Sequence, residues 1–134
     1  YGFRLGGPVI KDKLFYFVNA ELQRDETPQP FNFATYVGDD NLDSLNALRN
    51  KLATFGYDPG VFDANTEFLN SDKFLAKLDW NINDVHTLSL RHSYVSAENL
   101  EARSSSTTFL GFTNGSEYFL SKTNSTSLEL KSRL

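Results

Sequence analysis

Cysteine and methionine are absent from the 134 residues, histidine occurs twice and tryptophan once. Without cysteine there is no disulfide scaffold, no thiolate metal site and no cysteine nucleophile. No apolar run approaches the roughly 18 residues that a membrane-crossing helix requires. Positive charge is also scarce: 13 Lys and Arg stand against 17 Asp and Glu, for a net charge of −4. The cations are spread thinly among acids, which argues against nucleic acid as a partner, since that calls for a concentrated basic patch.

Aromatic residues, by contrast, are plentiful: twelve Phe and six Tyr favour strands over helices. Five segments alternate with period two. Across about 2–10, Phe3, Leu5 and Val9 share one face, with Arg4, Gly6 and Pro8 on the other. Across about 14–24, Leu14, Tyr16, Val18, Ala20 and Leu22 oppose Asn19, Glu21 and Gln23. Across about 73–82, Phe74, Ala76, Leu78, Trp80 and Ile82 oppose Lys73, Lys77, Asp79 and Asn81. Across about 86–96, Leu88, Leu90, His92 and Tyr94 oppose Thr87, Ser89, Arg91 and Ser93. The last segment, about 118–134, sets Leu128, Leu130 and Leu134 against Glu129, Lys131 and Arg133.

The connections run short, long, short, long: "KDK" (11–13), 25–72, "NDV" (83–85) and 98–117. In an antiparallel meander this puts both short turns on one side and both long loops on the other. Like faces must pair across a hairpin, because a one-residue slip reverses every side chain. A three-residue turn at 83–85 pairs Ile82 with His86, Trp80 with Leu88, Leu78 with Leu90 and Phe74 with Tyr94. A two-residue turn at Asp12-Lys13 pairs Val9 with Tyr16, Leu5 with Ala20 and Phe3 with Leu22, and sets Arg4 opposite Glu21. Within the first long loop, Leu42, Leu45, Leu48, Leu52 and Phe55 recur at helical spacing. Asp40 or Asn41 is placed to cap this helix of about 42–55, and Gly56 to end it. The helix is expected to pack across a strand end or within the loop. The expected fold is therefore mainly β: an antiparallel meander of about five strands with one helix in a long loop.

Strands of about ten residues, apolar on one face and charged on the other, suit a tilted crossing between lipid and a wet lumen. Tyr16 and Trp80 fall near the short-turn ends of the apolar face and Tyr94 near the opposite end, as two aromatic girdles would. Phe74, Leu78, Trp80, Leu88, Leu90 and Tyr94 are the candidates for contact with lipid. The competing expectation is a soluble, secreted α+β binding module whose wet sheet is covered by the 42–55 helix. One amphipathic helix is little cover for five strands. The chain opens in mid-pattern with "YGFRLGG" and closes in mid-pattern with "SLELKSRL", so a segment of a longer transmembrane β-barrel is expected.

The stretch "FRLGGPVIKDKLFYFVNAELQRDETP" resembles TonB-dependent outer-membrane transporters, in particular their Oar-like branch. There, a strand ending in Leu-Gly-Gly-Pro, a Lys-Asp-Lys turn and an aromatic-rich strand mark the start of the barrel. "NSDKFLAKLDWNINDVHTLSLRHSYV" resembles the next hairpin, and "LNALRNKLATFGYDPG" the helical insertion of an outer loop. The resemblance implies a 22-stranded barrel plugged by an N-terminal domain. Residues 1–134 would supply roughly strands two to six, without the plug or the TonB-contacting box. It also implies the bacterial outer membrane as location, outer-membrane lipid and the TonB complex as partners, the latter through N-terminal regions missing here, and uptake of a nutrient or other ligand. The Lys-Asp-Lys turn would be periplasmic and the loops 25–72 and 98–117 extracellular.

No catalytic constellation emerges. Asp79, Glu129 and Glu21 fall on different strands and are expected to be balanced by Lys77, Arg91 and Arg4. "GDDNLD" (38–43) lacks the spacing of a calcium loop and is read as a helix cap. His86 and His92 lack the further ligands a metal needs. "RSSSTT" has no nucleophile elbow, and "GGP" has no helix after it to cradle phosphate. No enzyme, cofactor or metal site is expected. The functional candidates are aromatics of the outer loops, Phe31, Phe33, Tyr36, Tyr57, Phe109 and Phe112, since exposed aromatics mark recognition surfaces. Their alternative role is to pack the loops against the helix.

Overall fold

The computed structural model describes residues 1–133; Leu134, placed by the alternation on the apolar face of the last strand, lies outside them. The alternating segments form strands because each offers one apolar face and a ladder of backbone groups to its neighbour. They are β1 (Gly2–Ile10), β2 (Leu14–Pro30), β3 (Ala64–Asn81), β4 (His86–Glu101) and β5 (Glu117–Ser132). They make one antiparallel meander sheet in the order β1-β2-β3-β4-β5. The helix α1 spans Leu42–Ala53, and single 3-10 turns lie at Phe33–Thr35 and Thr113–Gly115. The chain divides into two compact units, one of Tyr1–Arg24, Leu69–Glu98 and the chain from Leu120 on, the other of Asp25–Phe68 and Asn99–Phe119.

In the first unit the β1–β2 hairpin corrects the register expected from sequence. Gly7 faces Tyr16, Leu5 faces Val18 and Phe3 faces Ala20, two residues from the expected pairing. The turn has three residues, 11–13, between the paired Ile10 and Leu14, and a register shift lies between Pro8 and Ile10. Pro8 has no N–H to give to the ladder, so a bulge beside it is the cheap place to insert Val9. Asp12 takes φ 62°, a left-handed conformation that Asp tolerates better than most residues. A shift of two preserves the faces, so the apolar side stays apolar. The charges change partners: Arg4 faces Asn19, and Glu21 pairs with Lys73 at 2.8 Å. Phe17 faces Gly6, where a Cβ would stand 3.1 Å from its ring, so the ring covers the bare backbone of the glycine.

The β3–β4 hairpin follows the expected register. Ile82 N–H donates to the His86 carbonyl at 3.0 Å. Beyond it, Thr87 donates to Asn81 Oδ1 at 3.2 Å and Ser89 to Asp79 Oδ1 at 2.5 Å. Trp80 and Leu88, lying between those pairs, therefore face each other on the opposite side. Asn83 closes the turn by accepting from the N–H groups of Val85 and His86 at 2.9 and 2.8 Å. On β5, Ser132 meets His86 Nδ1 at 2.8 Å and Thr126 meets His92 Nδ1 at 2.9 Å. Both histidines are thus engaged by hydroxyls. Asp79 pairs with Lys77 at 2.8 Å, and Glu129 with Lys131 at 3.6 Å rather than with Arg91. These side chains are roughly one-third to two-thirds exposed, so each pair adds little, about 0–1 kcal/mol.

β2, β3 and β4 are longer than the alternation suggests. β2 continues through Pro30, β3 begins at Ala64, β4 runs to Glu101 and β5 covers Glu117–Ser132, so the connections shrink to 31–63 and 102–116. "DETPQP" (25–30) is polar with two prolines, and the period-two signal dies there although the backbone stays extended. Gln29 donates to Glu67 at 3.1 Å, and Phe31 N–H to the Asp63 carbonyl at 2.8 Å, so the ladder persists on polar contacts alone.

In the second unit α1 begins where Asn41 accepts from Ser44 N–H at 2.9 Å, satisfying a free helix-end donor. It ends with Gly56 N–H donating to the Ala53 carbonyl at 3.0 Å and Tyr57 N–H to that of Leu52 at 3.1 Å, a Schellman closure with Gly56 at φ 76°.

Burial is scant. The buried residues among those described are Leu45, Pro59, Ser71 and Gly111. The chain leaves 9744 Å² accessible, whereas a self-contained folded monomer of 15.2 kDa would leave about 7,100 Å². Removing the cap tests how far α1 stands on its own. Asn41→Ala is expected to cost about 0.5–2 kcal/mol, read as faster amide exchange in α1 with strand amides unchanged.

Candidate functional site

In the second unit the two long connections are sewn to one another. "YDPG" turns as expected: Asp58 Oδ1 accepts from Gly60 N–H at 2.9 Å, and Gly60 takes φ 81°. Thr113 lies against this turn, donating N–H to the Val61 carbonyl at 2.8 Å and accepting from Val61 N–H at 3.2 Å through Oγ1. Asn114 donates its backbone N–H to the Pro59 carbonyl at 3.0 Å and its amide to the Asp58 carbonyl at 2.9 Å. A Cβ on Gly60 would overlap Thr113 Oγ1, so this approach requires glycine twice over, for space and for φ.

Further stitches follow. Ser105 donates to the Phe62 carbonyl at 2.7 Å and accepts from Gly111 N–H at 3.0 Å. Val37 N–H donates to the Thr107 carbonyl at 2.8 Å. Ser116 Oγ accepts from Arg103 N–H and from the Asn65 amide, both at 3.0 Å.

Three of the six candidate loop aromatics come together. Phe33 stacks on Tyr36 with ring centres 5.5 Å apart, and meets Phe62 edge-on at 5.9 Å. Phe62 in turn meets Phe112 edge-on at 6.1 Å. Such pairs add about 0.5–1.5 kcal/mol each beyond burial. Phe33 and Tyr36 are thus spent on each other, Phe33 also on Phe62, and Phe112 on Phe62. Phe62, the link between them, was missed because "GVFDAN" shows no period that marks it. Phe31, the residue after β2, is half-buried. Phe109 is 41% exposed under the Arg103 guanidinium, 5.0 Å from the ring centre, and Tyr57 is 46% exposed.

The Tyr36 hydroxyl donates to Asp40 Oδ2 at 3.3 Å. Desolvation, followed by the negative charge of Asp40 and then of Asp39, raises the Tyr36 pKa above the ordinary tyrosine value.

In the first unit the candidate apolar residues stand uncovered: Phe74 is 41% exposed, Leu78 43%, Trp80 48% and Leu90 41%, with Tyr94 close behind and Leu88 half-buried. Leu128 and Leu130 of β5 are more exposed still. No group of three or more potential metal ligands converges among the described residues. No protein-family model, curated protein or solved structure matches the chain.

Two expectations follow. Gly60→Ala should part the connections: amides around 58–62 and 105–115 are expected to exchange faster, while those of the β3–β4 hairpin keep their protection. Asp40→Asn removes a charge that disfavours the phenolate, so the Tyr36 pKa should fall toward its ordinary value while staying above it, as followed by ring-carbon NMR. The raised pKa stabilises the fold below the ordinary tyrosine pKa. That contribution is lost as pH rises through the folded value.

Proposed function

We propose that these residues form part of the wall and outer loops of a TonB-dependent outer-membrane transporter, a non-catalytic piece of a barrel that takes up a nutrient or other ligand into a bacterial cell. One observation carries this reading. Phe74, Leu78, Trp80, Leu90, Leu128 and Leu130 lie open on one sheet face, while the charges on alternate positions pair among themselves as Glu21–Lys73, Lys77–Asp79 and Lys131–Glu129. A water-soluble sheet would reverse that arrangement and seal its apolar face. Hydrocarbon outside and water within a barrel account for both halves.

The strand lengths support it. β2, β3, β4 and β5 have 17, 18, 16 and 16 residues, more than the about 9–11 that a tilted strand needs to cross the bilayer. The excess carries the strands beyond the lipid, on the side of the long connections. The "LGGP…KDK…FYF" resemblance names the family, and the β1–β2 hairpin supplies a physical reason for its residues: glycine beneath an aromatic ring, a bulge at proline and a turn through Asp12. On this reading the plug and the TonB-contacting parts lie outside these residues, and the stitched connections face the medium.

A depth-dependent cost tests the proposal. Leu90→Arg at a lipid-facing position should destabilise the folded protein in bilayers by about 2–4 kcal/mol if it lies near the midplane, whereas Ser89→Arg on the other face should cost far less. Folding titrations in lipid vesicles read the difference. Expression without detergent should give aggregate rather than a folded monomer. A monodisperse, water-soluble protein with Trp80 sealed from quenchers would instead establish the secreted binding module.

A further inference from the structure

We infer that the groove between α1 and the turn after it is a binding site for a neutral polyhydroxylated ring, a single sugar or the terminal residue of a glycan. This deepens the transporter reading by naming the class of ligand that its outer loops meet, and it rests on that reading for its biological setting.

The groove has a volume of about 410 Å³ and is lined by Asn46, Arg49, Asn50, Tyr57, Asp58 and Pro59. That is the small end of the roughly 300–1,000 Å³ range of ligand pockets, room for a compact ring rather than a long chain. Arg49 and Asn50 follow Asn46 at spacings of three and four along α1, so helical geometry makes each of them its neighbour on the helix surface. None of these three side chains has a hydrogen-bond or ion-pair partner among the described residues. Each asparagine amide offers two donors and an accepting oxygen, and a sugar hydroxyl is itself both donor and acceptor. Arg49 adds a fork of donors and Asp58 a carboxylate oxygen left over from its bond to Gly60. One cation and one anion offset each other, which favours a neutral ligand over a phosphate or an ammonium compound.

Tyr57 supplies what amides cannot. Its ring is 46% exposed on the wall of the groove, a flat apolar surface with a polar tip. The C–H face of a pyranose stacks on such a ring, and its hydroxyl edge then meets the amides.

The groove is also held in shape before any ligand arrives. The Schellman closure ties Tyr57 N–H to Leu52, the carbonyls of Asp58 and Pro59 are both held by Asn114, and Pro59 is a buried floor. A preorganised site spends little binding free energy on ordering itself. The sequence signals for the aromatic and the turn were visible in "TFGYDPG", but the amide stripe acquires meaning only once the Gly56 turn folds Tyr57 back beside α1.

The test uses the intact protein in lipid nanodiscs, probed with an array of neutral gluco-, galacto- and manno-configured oligosaccharides and followed by saturation-transfer NMR. At least one should bind saturably. Tyr57→Ala and the pair Asn46→Leu with Asn50→Leu should each weaken it tenfold or more. The leucines keep the helix propensity of α1, and Tyr57→Phe, which keeps the ring, should retain most of the affinity, so loss of folding is separable from loss of contacts. Phe109→Ala, outside the groove, should change nothing. A protein that inserts into the nanodisc and binds no neutral saccharide, or whose binding survives both groove variants, overturns this inference and leaves the transporter reading standing. A protein that proves water-soluble yet binds through Tyr57 does the reverse.

Discussion

The pleat of the strand is the constraint on which the rest depends. Successive side chains leave a strand on opposite sides, so a residue's parity assigns it to one of two surfaces and to no other. In β3 the even positions carry Phe74, Leu78 and Trp80 and the odd positions Lys73, Lys77, Asp79 and Asn81. Once neighbouring strands are locked with like faces together, the sheet has one surface of hydrocarbon and one of paired ions. Among the described residues, nothing in the first unit seals the hydrocarbon. This imbalance, rather than any single residue, is what the proposed bilayer setting rests on.

Polar residues then serve two different ends. On the strands, Glu21 and Lys73 neutralise one another across the sheet, and Lys77 and Asp79 along it. In the second unit, Ser105, Thr113, Asn114 and Ser116 each bond backbone groups of a distant segment, and irregular backbone gains the fixity that a ladder gives a strand. The aromatic chain from Tyr36 through Phe33 and Phe62 to Phe112 reinforces those bonds. Phe33, Tyr36 and Phe112 are thereby occupied, whereas Tyr57 stays exposed and the side chains of Asn46 and Asn50 on α1 have no partner among the described residues.

The β1–β2 hairpin shows how local chemistry edits a pattern without breaking it. Alternation permits any even shift of register. Proline beside a bulge, an aspartate able to take positive φ and a phenylalanine lying on Gly6 together choose one of those shifts. Arg4 and Glu21, well matched on paper, are parted by that choice, because an exposed ion pair weighs less than the geometry of a turn.

What the amino-acid order determined alone was everything carried by periodicity and local capping. The five strands, their faces, the three-residue β3–β4 turn, a helix cap at Asp40 or Asn41 and the Gly56 stop were all legible, because each depends on residues a few positions apart. The extension of β2 and β3 through "DETPQP" and Ala64–Asp72 was not, since a polar ladder leaves no apolar alternation to read. Nor was the choice among even registers, the closing of 31–63 onto 102–116, or the partner of Glu21. Those depend on contacts between residues tens of positions apart, whose free energies are small one by one and decisive only when tertiary structure brings the groups together.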